Sequence, residues 1–220
     1  MHAHEEYGVS KSENGGLTWT TFLLGIKAQN IDTDGPFVYV ATHDGLYKSP
    51  DYGETWFRFP SITDQNTGEA VYTTEHYSVL ADMNTVWAGT ADGLASTSNN
   101  GYTWDIYRAY KSTAEDGQPR TYAYPNPFSP KRHNTLNGDG HIRLQYNTKK
   151  DTYVTVKVYD FAMDLVATVC ENKFRPGPAD FNEVWNGKND YGDDVANGSY
   201  FFSVVLEGDG TYWGKILIVN

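Results

Sequence analysis

"SPDYGETW", residues 49–56, is the stretch whose reading decides the fold. A hydroxyl, a carboxylate, a glycine, a threonine and a tryptophan stand at fixed offsets. The chain writes the pattern three times: SENGGLTW at 12–19, SPDYGETW at 49–56 and TSNNGYTW at 97–104. The shared form is Ser/Thr-x-Asp/Asn-x-Gly-x-Thr-Trp, and its chemistry is that of a turn. Asp and Asn side chains bond nearby backbone amides and tolerate left-handed conformations. Gly16, Gly53 and Gly101 supply the positive φ that a tight hairpin needs. The same device is therefore assigned to Ser12, Asn14, Gly16, Thr18 and Trp19, to Ser49, Asp51, Gly53, Thr55 and Trp56, and to Thr97, Asn99, Gly101, Thr103 and Trp104. Each tryptophan is expected to start the return strand and bury its ring.

The repeat extends upstream of the turn. VYVATHDGLYKS at 38–49 aligns with VWAGTADGLAST at 86–97, and NIDTDG and SVLADM stand at one offset before them. One unit reads strand, short loop, strand, Asp-Gly turn, strand, fastened turn, strand. Units of about four strands spaced by roughly 40–50 residues are the signature of propeller blades. Apolar residues at i, i+3, i+4 and i+7 are missing from this half, so helices are not expected. The first copy begins at EYGVSKSENGG, which aligns with HDGLYKSPDYG. The strand corresponding to VYVAT is expected to be missing in front of it, so the chain starts in mid-blade. Either Met1 is not the natural start of the domain, or another chain completes the open edge.

Over residues 5–108 the three copies resemble the Asp-box repeats of sialidase-type and related β-propellers, the BNR family. That resemblance implies blade-edge hairpins lying away from a central active site. Asp51 and Trp56 are accordingly read as parts of a hairpin clip, not as catalytic groups, since a fold does not carry a function with it.

The chain has 220 residues and a formal net charge of −11. Residues 1–118 carry six Lys/Arg against sixteen Asp/Glu, an acidic balance that argues against nucleic acid or an anionic membrane as partner. The single cysteine, Cys170, excludes an intramolecular disulfide and reads as a small buried hydrophobe. No run of about 18 apolar residues offers a membrane span. The polar start MHAHEEYG lacks the apolar stretch of a signal peptide, so an export signal would lie upstream.

A second domain follows. KSTAEDGQPR, 111–120, is polar, contains Gly and Pro and shows no alternation, as a linker does. The organisation is blades over 1–110, linker over 111–120 and a separate β-domain over 121–220. YAYPNPFSP brackets an asparagine between prolines and reads as an edge strand or its lead-in. Ile142, Leu144 and Tyr146 alternate on one strand, and Val154, Val156 and Val158 on the next, the pattern of half-buried strands. About seven strands in about 100 residues, joined by tight turns, give an Ig-like sandwich. The predicted fold class is thus all-β: partial propeller blades plus a C-terminal Ig-like β-sandwich.

YPNPF at 124–128, VTVKVYD at 154–160, WNGKNDYGDDVANGSYFF at 185–202 and the terminal KILIVN resemble the Ig-like domain of the flagellar hook-capping family and the related C-terminal sorting domain of type IX secretion cargo. The resemblance covers roughly residues 120–220. It implies a non-enzymatic export address read by the type IX machinery, on a protein that is secreted or held at the cell surface. Two positions depart from the family: Met163 stands where a turn glycine is usual, and Asn220 where the chain often ends in a basic residue.

Two further clusters carry metal-ligand residue types. Asp190, Asp193 and Asp194 offer hard oxygens suited to calcium, but Asp, Asn and Gly are also what a long hairpin turn requires. No cofactor is required otherwise. His2 and His4 form an H-x-H that could hold zinc, against the plainer reading of a polar terminus. Sialidase chemistry needs three arginines on a carboxylate, and residues 1–118 contain only Arg58 and Arg108. The expected role is non-catalytic: export, display and contact with secretion machinery, cell-surface components or glycan, with self-association through the open blade edge. The alternative is the remnant of an extracellular glycoside hydrolase whose active site lies in missing blades.

Overall fold

The computed structural model describes residues 1–4, 8–115 and 117–220, with side chains for all of these except 2–4. The chain divides into two compact units, Met1–Ala109 and Tyr110–Asn220. It is all-β, with no helix among the described residues.

The first unit holds three antiparallel meanders. The first sheet is β1 (His2–His4), β2 (Gly8–Lys11) and β3 (Thr20–Phe22) in that order. The second is β4 (Ala28–Asp34), β5 (Phe37–Thr42), β6 (Gly45–Ser49) and β7 (Phe57–Arg58). The third is β8 (His76–Asp82), β9 (Thr85–Thr90), β10 (Gly93–Thr97) and β11 (Asp105–Tyr107). The central hairpins are built alike, closing at Thr42↔Gly45 and Thr90↔Gly93. In each, the threonine hydroxyl donates to the glycine carbonyl (2.7 and 2.8 Å) and accepts the following Asp amide (3.1 Å in both). The strand expected to be missing before the first fastened turn is present in short form. His4 pairs with Gly8 and His2 with Ser10, as Thr42 and Val40 pair in the second sheet.

The sheets stack face to face. Val9 and Leu23 of the first pack with Ile31, Val38, Val40 and Trp56 of the second. Tyr39, Ala41 and Leu46 of the second, with Phe59 beyond β7, pack with Val79, Val86, Ala88, Ala95 and Trp104 around the third. Burying each Val- or Leu-sized side chain contributes about 1.5–3 kcal/mol. Polar links reinforce the stacking: Asn30 and Asp32 on β4 accept the β8 amides of Val79 and Ala81, each at 2.8 Å. Those amides stand on the free edge of the third sheet, and the β4 side chains cap them.

The second unit is a two-layer sandwich of seven strands. One sheet is β12 (Thr121–Tyr124), β13 (Ile142–Thr148) and β16 (Ala179–Trp185). The other runs β15 (Leu165–Arg175), β14 (Thr152–Tyr159), β17 (Gly198–Leu206), β18 (Gly210–Ile218). One core lies between them, built from Ile142, Leu144 and Tyr146 facing Val154, Val156, Val158, Phe202, Val204 and Ile216. The alternation on β14 holds, but β13 is buried on both faces. Arg143 and Gln145, on the face opposite Ile142, Leu144 and Tyr146, are 2 % and 1 % exposed. The polar segment before β12 explains this, because it packs on the sandwich. Ser112 donates to Asp180 of β16 (2.7 Å), Thr113 is buried, and Lys111 and Tyr122 exchange hydrogen bonds through their main chain and hydroxyl.

Candidate functional site

The three fastened turns share one hydroxyl–amide frame, but the tryptophan Nε1 reaches the glycine carbonyl only in the first two, and Trp104 Nε1 is buried without a hydrogen-bond partner among the described residues. In the second copy, Ser49 Oγ accepts the Gly53 amide at 2.7 Å and donates to Asp51 Oδ1 at 2.8 Å. Asp51 Oδ1 accepts the Thr55 amide at 2.8 Å, and Oδ2 accepts the Thr55 hydroxyl at 2.6 Å. Trp56 Nε1 donates to the Gly53 carbonyl at 3.1 Å. Ser12, Asn14, Thr18 and Trp19 repeat the set, with Gly16 NH to Ser12 at 2.7 Å, Thr18 NH to Asn14 at 2.9 Å and Trp19 to Gly16 O at 3.0 Å. Thr97, Asn99, Gly101 and Thr103 do the same at 2.9 Å for both amide contacts. The glycines sit at φ 92°, 89° and 86°, where a Cβ is strained. One bond reverses direction. Asn14 and Asn99 donate their amide to the threonine oxygen (2.8 and 2.7 Å), whereas Asp51 receives the threonine proton. Those threonine bonds hold the Asp51 carboxyl down at about 2.

The tryptophans do not behave as one set. Trp104 is buried, Trp56 half-buried, and Trp19 is 54 % exposed, against the expectation of three buried rings. The cover comes from the neighbouring sheet, as Phe59 shows by meeting Trp104 edge-on with centroids 5.7 Å apart. Trp19 has no such sheet over it among the described residues.

Both arginines of this unit are held at Asp-Gly turns. Arg58 pairs with Asp44 at 3.5 Å. Arg108, with its side chain 6 % exposed, pairs with Glu69 and Asp92 and donates to the Ala70 and Asp92 carbonyls at 2.7 and 2.9 Å. The sequence singled out both residues but not these roles. Arg108 staples the long 59–75 loop through Glu69 and Ala70, whereas Arg58, with its side chain 45 % exposed, stays at the 43–45 turn. His43 Nδ1 accepts the Lys27 amide at 3.0 Å, so it closes the second sheet. His76 is buried, bonded through Nδ1 to Thr74 O, and burial lowers its pKa. The side chains of His2 and His4 lie outside the described residues.

In the second unit the proline-bracketed motif is a clip on β18. Asn126 Nδ2 donates to Lys215 O at 2.8 Å, and its Oδ1 accepts the Leu217 amide at 3.0 Å. Phe128 continues the pairing, giving its amide to Leu217 O (2.8 Å) and accepting from Val219 (2.9 Å). The segment after β12 thus leaves one sheet and closes the edge of the other. The acidic loop does similar work at the opposite edge. The Asp190 amide donates to Val166 O (3.0 Å), and its carboxylate accepts the Thr168 amide (2.8 Å). Asn189 Oδ1 accepts the Tyr191 and Asp193 amides at 3.0 and 2.9 Å. No group of three His, Cys, Asp or Glu able to hold a metal occurs among the described residues. Behind β15, buried Glu183 receives Tyr146 (2.8 Å), Lys173 (2.9 Å) and Arg175 (2.5 Å). Cys170 lies nearby, its thiol pushed up to about 11 by burial.

No protein-family model matches the chain, and no curated protein matches it. Solved structures do match. One is PorZ of Porphyromonas gingivalis, described as an essential bacterial surface component of the type-IX secretion system, at 20% identity and TM-score 0.34, covering 96% of this chain and 25% of that one. Another is dimeric latent PorU of the same organism, at 19% identity and TM-score 0.33, over 64% of this chain and 12% of that one. A third is the extracellular domain of the putative one component system BT4673 of B. thetaiotaomicron, at 14% identity and TM-score 0.32, over 97% and 29%. The chain therefore spans about a quarter or less of the PorZ and PorU chains it matches.

Proposed function

We propose that the chain is a non-catalytic module of a multidomain bacterial surface protein. Its first unit supplies Asp-box blades of a β-propeller, and its second is an Ig-like sorting sandwich. The sandwich addresses the protein to type IX secretion and leaves it outside the cell, in contact with the secretion machinery or other surface components. The observation that carries the reading is the order of four motifs in residues 124–220, each with a distinct task. YPNPF clips the last strand through Asn126 and Phe128. VTVKVYD supplies the Val154, Val156, Val158 row of the core. The tryptophan motif seats Trp185 in that core, with Nε1 donating to Lys188 O at 2.8 Å, and uses Asp190 to cap β15. KILIVN is the clipped edge itself. A rigid shape is what an address of this kind asks for, and these contacts support that reading.

The test is localisation. The full chain, placed behind a periplasmic export leader in a bacterium with a working type IX system, should reach the medium or cell surface. It should stay in the periplasm of a strain lacking that system. Periplasmic retention in both strains would refute the sorting role.

A further inference from the structure

The buried histidine of the first unit is held in one protonation state. His76 is the first residue of β8 and is 5 % exposed. A carbonyl oxygen can only accept, so Nδ1, 2.9 Å from Thr74 O, carries the ring proton. Nε2 is then the bare nitrogen of a neutral imidazole, buried and with no partner among the described residues. A second proton would turn Nε2 into a charged donor with no acceptor, and burying such a group costs stability. The surrounding charges give no relief. Arg58 of β7 acts on His76 as a like charge, and Asp44 is already paired with Arg58. Asn30 and Asp32 stand 49 positions before the β8 residues they hold, and the same offset puts Lys27, just before β4, level with His76. His43 spends its Nδ1 on the Lys27 amide. On the β9 side His76 pairs with Thr90, and Asp92 just beyond is engaged by Arg108 and the Tyr72 amide. Glu75, next to His76 in the chain, accepts the Tyr77 hydroxyl at 2.8 Å.

His76 also sits between two fixed points. Upstream, Arg108 holds Glu69 and Ala70. Downstream, Asn30 and Asp32 hold the Val79 and Ala81 amides. The piece between them is tied to the end of β9 by two bonds: the Tyr72 amide donates to Asp92 at 2.9 Å, and the Glu75 carbonyl accepts the Ala91 amide at 3.3 Å. We propose that residues 71–77 are an acid-sensitive latch: protonation of His76 draws its ring out to water and releases this piece from β9, while both fixed points hold. Burial lowers the imidazole pKa; the Thr74 bond opposes that shift and Arg58 adds to it. The closed latch therefore favours the neutral ring. Its stability is complete above about 6.5, the value of a solvated imidazole, and drains away as pH falls below that point. Each pH unit below it favours opening by up to about tenfold. The latch belongs to the first unit alone and works whether or not the second unit is a sorting address.

Amide hydrogen exchange of the full chain, expressed as protection relative to the unfolded rate at each pH, tests this. Between about pH 7.5 and about pH 5.5 the Ala91 amide should lose up to about tenfold in protection, and the Val79 amide should keep its own. In His76→Gln, which takes no proton in this range, the loss at Ala91 should vanish. If that variant does not fold, an NMR titration of the His76 ring in the parent takes its place. A ring that titrates below its ordinary value of about 6.5 supports the latch, and one that titrates at that value overturns it. Equal protection of Ala91 at both pH values in the parent also overturns it, as does a His76→Gln variant that loses Ala91 protection as the parent does. So does an equal loss at Ala91 and Val79, since the whole sheet would then be opening instead of the latch.

Discussion

Removal of the Asn126 side chain gives the sharpest test of how the sandwich closes its last edge. In Asn126→Ala the Lys215 carbonyl and the Leu217 amide each lose their partner, at 2.8 and 3.0 Å. A neutral hydrogen bond contributes about 0.5–1.5 kcal/mol net, and Asn126 is exposed, so water re-solvates part of what is lost. Two such bonds come to about 1–2 kcal/mol, which changes an opening equilibrium about 5–30-fold. The assay is amide hydrogen exchange resolved at single residues of β18. Leu217 should exchange faster by that factor. Ile216, whose backbone groups turn toward β17 in the antiparallel ladder, should hold its protection. Asn126→Asp separates the two bonds. The carboxylate still accepts from Leu217 but has no proton for Lys215 O, so Leu217 should stay protected while overall stability falls. Equal exchange of Leu217 in the parent and the alanine variant would refute the clip, as would an aspartate variant that behaves like alanine.

Four further outcomes follow from the structure. Asp51 titrates below its ordinary value, so its contribution is complete above about 4 and is lost as pH falls through about 2; in Asp51→Asn, acid titration of the Thr55 amide by NMR should lose that step, and an unaltered acid profile would count against the network. Met163 holds φ at 68°, where a side chain is strained, so Met163→Gly should raise the urea midpoint by the equivalent of about 0.5–1 kcal/mol, and a lowered midpoint would contradict the reading. A Cβ on Gly214 would stand 2.2 Å from the Phe202 ring, so Gly214→Ala should cost about 1–3 kcal/mol in chemical denaturation, with no loss if the ring moves freely. Glu183→Gln leaves Arg175, whose side chain is 16 % exposed, without its carboxylate and should cost about 3 kcal/mol; a neutral result would show the ion pair to be dispensable.

The fastened turns were legible because each residue acts within eight positions of chain. Ser49, Asp51, Gly53 and Thr55 meet one another through local geometry, and residue type alone specifies their bonds. The strand pattern was legible for a related reason, since period-two burial on β14 needs only one core on one side. What depended on distant partners was not. Trp19 and Trp104 share a motif but differ in exposure, because among the described residues a neighbouring sheet covers Trp104 and none covers Trp19. Both faces of β13 are covered because the polar 111–120 segment lies on one of them. The task of Asn126 was hidden too, since its partners stand 89 and 91 residues away. Met163 was noticed only as a departure from a family habit, and its left-handed backbone supplies the physical reason for that habit.

The reversed proton between Asp51–Thr55 and the two Asn–Thr pairs reaches beyond the turn itself. A hydroxyl can give or take, so the loop keeps its shape whether the residue beside it is ionised or neutral. Hairpin form is thereby uncoupled from surface charge. A lineage could make this rim more acidic or less, one aspartate at a time, to suit its medium or its neighbours, and no strand would have to shift.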